Sequence, residues 1–210
     1  MKTDDLIKLL AADAELSERF EKSFLWLGPA MLVMAIIVAL TLGIRSDLAV
    51  AIQEPMSALR FVLGLGLGVA ALRAVIVLAR PGADLGLRVV PILAIAFFAA
   101  ALWGLTYLAV PADARAAAIR GETAVVCLIT IPVLSVLPVV VLFSMLRKAA
   151  PTRPALAGAM AGIAGAGLAA AVYALHCTED SPLFYVTWYG LGIIIVMTTS
   201  SIMGRRLLRW

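Results

Sequence analysis

AVVCLITIPVLSVLPVVVLFSML, residues Ala124 to Leu146, carries no charged side chain and shows no two-residue alternation of polar and apolar positions. About 20 mostly apolar residues suffice to cross the hydrocarbon core of a bilayer as a helix. A strand of an outer-membrane barrel would instead alternate over about ten residues. This stretch therefore reads as a membrane-spanning helix, and windows of the same kind recur at 24–44, 58–79, 89–110, 155–176 and 183–203.

Those six windows use most of a chain of 210 residues that is 63% hydrophobic and 14% charged, with a mean hydropathy of +1.06. Soluble domains run at roughly 45–50% apolar and ~25% charged. The composition excludes a disordered tail, a disulfide-rich secreted scaffold and an ordinary cytosolic enzyme. The expected architecture is an all-α bundle of six membrane helices (24–203), flanked by a polar segment at 1–23 and a short basic tail at 204–210. The polar lead before the first apolar run is acidic and basic rather than short and basic, so that run reads as an anchor and not as a removable signal.

Charge orients the bundle. The N-terminal segment, the connections 80–88 and 147–153, and the tail after Met203 hold twelve Lys and Arg, whereas the opposite connections hold only Arg45, Arg115 and Arg120. By the positive-inside rule both termini face the cytoplasm. The formal net charge of +4 is then an orientation signal, and no direct nucleic-acid binding is expected. Arg60 and Arg73 lie within the second window and are expected to act as anchors whose heads snorkel to the headgroups. No window has an acid near its middle, which argues against a small ion-coupled transporter.

Residues 1–23 pattern as an amphipathic helix, with Thr3 as cap, Asp4 and Asp5 in the first turn, and Leu6, Leu9, Leu10, Leu16 and Phe20 near one face. Six acids against four bases suit a basic-rimmed protein groove better than anionic lipid.

The chain has two cysteines, Cys127 and Cys177, and one histidine, His176. Both thiols fall at the same depth on the non-cytoplasmic side, where disulfides persist. They are either a pair able to bridge or two small buried residues, and bridging requires the fourth and fifth helices to be neighbours. His176, Glu179, Asp180 and Pro182 surround Cys177 in a compact polar turn. Its spacing matches no zinc pattern, so neither a metal site nor a cofactor is expected. Pro132 and Pro138, inward from Cys127, tend to kink the fourth helix and could relay a change at the thiols.

Other patterns are packing features. Gly64, Gly66 and Gly68 spell GxGxG inside an apolar span, where a dinucleotide site is out of place; together with Gly158 and Gly162 they suit close helix approach. Whether that GxxxG pair serves the fold or a homodimer is open. No nucleophile has a base and an orienting acid beside it, so no enzyme is expected.

The opening MKTDDLIKLLAADA (1–14) and the loop HCTEDSPLF (176–184), with Thr187, Trp188 and Tyr189 behind it, resemble the NrsF-type family of bacterial inner-membrane anti-sigma factors. The resemblance implies that residues 1–23, through Asp4, Leu6, Leu9 and Leu10, sequester an extracytoplasmic-function sigma factor. It further implies that Cys127 and Cys177 sense oxidant or heavy-metal stress and release it. The alternatives are a membrane thiol oxidoreductase exchanging disulfides with a quinone, for which thiols 50 residues apart are a poor match, and a small transporter.

Overall fold

A computed structural model describes residues 25–80, 82–149 and 151–209. Its regular structure is helical throughout: α1 (Leu27–Thr41), α2 (Leu48–Ala51), α3 (Pro55–Leu78), a 3-10 turn (Gly86–Val89), α4 (Val90–Ala109), α5 (Arg115–Arg120), α6 (Ala124–Ala149), α7 (Pro154–Tyr173) and α8 (Pro182–Leu207). Pro opens α3, α7 and α8, positions where its missing N–H costs no helical hydrogen bond.

Among the described residues five helices are long and apolar enough to cross a membrane, and the chain is a membrane protein. The sixth expected span, 24–44, is represented by α1, which has 15 residues. At 1.5 Å per residue that is about 22 Å, short of the ~30 Å hydrocarbon core. Its C-terminal end comes earlier than expected because Gly43 takes the left-handed conformation (φ 82), and the Leu42 and Gly43 amides both donate to the Val38 carbonyl. This is a glycine helix stop.

The bundle is built around α7, whose Ala- and Gly-rich surface lets neighbours approach on several sides. A Cβ on Gly167 would stand 2.7 Å from the Gly68 nitrogen, and one on Gly64 3.0 Å from the Ala171 nitrogen, so α3 and α7 meet backbone to backbone. On another side, a Cβ on Gly158 would overlap the Ser200 carbonyl and one on Gly204 the Pro154 carbonyl. The GxxxG pair Gly158 and Gly162 is thus used within the chain, against α8. Without a hydrophobic drive between helices in lipid, such close van der Waals contact is what holds them. By contrast α4 lies at the edge, with Phe97, Leu105 and Leu108 exposed on the side that faces lipid.

Candidate functional site: a thiol pair beneath an ion-paired clasp

The end of the bundle that carries Arg45, Arg115 and Arg120 is where the informative polar residues converge. Cys127, in the first turn of α6, and Cys177, in the link between α7 and α8, are both free thiols and both buried, at 0% and 2% exposure. Helices α6 and α7 are neighbours, which brings the two thiols close enough to hydrogen-bond. The Cys127 sulfur also lies 3.3 Å from the Tyr173 hydroxyl, within hydrogen-bond reach. The hydrogen bond with Cys127 draws the Cys177 thiol below its ordinary range, a thiolate-favouring environment of the kind that makes a cysteine reactive.

The 174–181 link is clasped from two sides. From the α1–α3 connection, the Arg45 amide donates to the Leu175 carbonyl at 3.0 Å. Its guanidinium reaches the Cys177 carbonyl at 3.2 Å and both Asp180 oxygens at 2.9 and 3.1 Å. The same guanidinium makes a two-pronged contact with Asp47, 2.7 Å to each oxygen, and His176 Nδ1 lies 3.0 Å from the Gly43 carbonyl oxygen. From α3, the Ser57 hydroxyl donates to Asp180 at 2.6 Å, while Arg60 pairs with Asp180 at 3.0 Å and donates to the Glu179 carbonyl at 3.1 Å.

Arg60 therefore does not snorkel. Its side chain is fully buried and turned inward to a carboxylate and a backbone carbonyl, because a guanidinium taken out of water needs a charged partner more than a headgroup. Arg73 is exposed.

A third tie joins the two cysteine-bearing segments. The Glu122 amide donates to the Glu179 carboxylate at 2.7 Å. Preceding Gly121 has φ 54, and a Cβ there would run into the Phe184 ring and stand 2.8 Å from the Glu179 carboxylate. Trp188 Nε1 donates to the Ile119 carbonyl at 2.8 Å, fixing α8 to the same connection.

Charge stabilises the clasp. The hydrogen bond from Arg45 holds the Asp47 carboxyl down at about 2. For Asp180, burial is the largest influence and pushes the carboxyl up, but hydrogen bonds from Arg45 and Ser57 with the charges of Arg60 and Arg45 outweigh it, leaving the group below its usual range. Both carboxylates are ionised near neutral pH.

The structure thus brings together Cys127, Cys177, His176, Glu179 and Asp180, with Pro182 buried at the start of α8. Arg45, Ser57 and Arg60 join them, although the sequence placed Arg45 only in the charge count and Arg60 only among the anchors, and did not single out Ser57. The one signal available was Arg60 itself, a charge inside an apolar helix that has to find a partner. Pro132 and Pro138 lie within α6, which continues through both; Ser135 donates to the Pro132 carbonyl at 2.7 Å, and Pro132 packs near Gly192 of α8. No group of three or more His, Cys, Asp or Glu among the described residues is arranged to hold a metal. Asp4, Leu6, Leu9 and Leu10 lie outside the described residues.

Comparison with known proteins gives the class of protein, a regulator rather than an enzyme. The family "Negative regulator of sigma F" (NrsF) matches residues 10–210, and the chain belongs to that family. It is 37% identical over 216 residues to the "Anti-sigma-F factor NrsF" of Caulobacter vibrioides (strain NA1000 / CB15N), covering all of both chains. It is 34% identical over 225 residues to the "Probable anti-sigma-F factor NrsF" of Azospira oryzae (strain ATCC BAA-33 / DSM 13638 / PS), again covering both chains fully. No solved structure matches.

Proposed function

We propose that this chain is an anti-sigma factor of the bacterial inner membrane, with both termini cytoplasmic. In this reading residues 1–23 hold an extracytoplasmic-function sigma factor through Asp4, Leu6, Leu9 and Leu10, and stress at the outer face releases it. The observation that carries the sensing half is the meeting of Cys127 and Cys177 under the clasp. Two thiols in contact have two simple chemical fates. An oxidant takes two electrons and two protons from them and leaves a disulfide; a soft cation displaces both protons and is held by two thiolates. Either product changes the sulfur–sulfur spacing, a disulfide fixing it at about 2.05 Å, and so shifts the 174–181 link relative to α6.

Two routes lead inward from there. One is α6, where Pro132 and Pro138 remove backbone donors and soften the helix. The other is α1, whose outer end is tied to the Cys177 link by Arg45 and by the contact between His176 and Gly43, and whose inner end continues into residues 1–23. The hydrogen bonds made by Arg45 favour the second route. Release requires the modified form to bind sigma more weakly, and a tenfold loss corresponds to about 1.4 kcal/mol.

The test is a sigma-dependent reporter under oxidant and cadmium challenge. Cys127→Ser and Cys177→Ser are each expected to blunt induction, and Arg45→Ala to uncouple induction from thiol modification. Full induction in both cysteine variants would reject the sensor assignment. A full response in the Pro132→Ala, Pro138→Ala double variant would assign the relay to α1 rather than α6.

A further inference from the structure

Between α3, α4, α7 and α8 lies a cavity of about 350 Å³, within the size range of small-molecule sites. Ile95, Ile163 and Met197 are among the side chains that make it apolar, and at its outer end it is lined by Arg60 and Tyr189. These two contribute buried side-chain polar atoms without a nitrogen or oxygen partner among the described residues, Arg60 Nε and the Tyr189 hydroxyl; the hydroxyl has only the Cys177 thiol beside it, a weak acceptor. Buried donors are ordinarily satisfied, and two orphans on one cavity ask for an acceptor. Gly190, which also lines the cavity, leaves room as well: a Cβ built there meets nothing within 4 Å.

We propose that this cavity binds a neutral lipid-like molecule, whose hydrocarbon tail lies along the apolar walls and whose carbonyl oxygen accepts hydrogen bonds from Arg60 Nε and the Tyr189 hydroxyl. A carbonyl has two lone pairs for two donors. A neutral head fits better than an anion, because the positive charges of Arg60 and Arg45 already face Asp180 and Asp47. An ester lipid and a quinone share this chemistry. Because Arg60 also holds the Cys177 link, occupancy would bear on the thiol pair, but the site itself does not depend on how sigma is bound.

Thermal unfolding of the purified full-length protein in detergent tests the proposal with three probes: decylubiquinone, dioctanoylglycerol, and decylbenzene as a carbonyl-free control. At least one carbonyl probe is expected to raise the melting temperature saturably, with decylbenzene at least fivefold weaker; which carbonyl probe binds distinguishes quinone from ester. Tyr189→Phe, which keeps the ring and deletes the hydroxyl, is expected to weaken the carbonyl probe about fivefold. Gly190→Phe, which fills the cavity, is expected to abolish binding without lowering the melting temperature of the unliganded protein by more than a few degrees. Equal binding of decylbenzene, no response to any probe, or unchanged binding in Gly190→Phe would overturn it.

Discussion

Asp180 is the residue on which the clasp turns, since it faces Arg45, Ser57 and Arg60 at once. Asp180→Asn leaves the buried Arg60 guanidinium without its carboxylate, and removing one partner of a buried pair costs more than the pair itself contributes. The link over the thiols should then open more often, and labelling of Cys177 by a maleimide added from the outer side is expected to rise at least tenfold. An unchanged rate would show that the clasp does not guard the thiols. The pH dependence follows from the same charges. A carboxylate whose folded pKa is depressed adds stability above its unfolded pKa of about 3.9 and loses it as pH falls through the folded value. With Asp47 held at about 2 and Asp180 also lowered, the clasp is expected to stay closed down to about pH 5. The melting temperature should be flat between pH 7 and pH 5 and fall only in stronger acid; a fall already at pH 6 would contradict this assignment.

At the scale of helices, α7 is where the packing is least forgiving. Gly158→Leu or Gly167→Leu would drive a side chain into the backbone of α8 or α3, an overpacking worth at least about 1–3 kcal/mol. Both are expected to lower the melting temperature by several degrees or prevent folding, whereas Gly66→Ala, whose nearest neighbour is an Ile95 methyl at 3.5 Å, should be tolerated. The spans were legible in the sequence because lipid imposes one rule, a long uncharged run, and 124–146 met it within three residues of the observed helix end. The shortness of α1 was not, because hydropathy continues past Thr41 while Gly43 turns the backbone. Nor was the clasp. The charge count treated Arg45 only as one of three cations on the outer side, and it takes the approach of the α1–α3 connection to Leu175 to place Arg45 on Asp180. The thiol pair was half legible: equal depth followed from the spans, but contact depended on which helices neighbour one another.

Across the described residues, the clasp and the thiols collect at one end of the bundle, and α1 leads from that end, in chain order, back to the N-terminal segment expected to bind the partner. Such a layout suits a coupling of two sites, in which the state of the thiols alters the affinity of the tail and sigma binding reciprocally alters the state of the thiols. Deleting residues 1–23 is accordingly expected to free the sigma factor with or without stress, while the remaining bundle still folds and its thiols still react. The most direct test measures the sigma factor retained on inner-membrane vesicles before and after treatment with diamide, for the unaltered protein and for Cys177→Ser. The account predicts that diamide releases most of the sigma factor from the unaltered protein and little from Cys177→Ser. Release from both, or from neither, would contradict it.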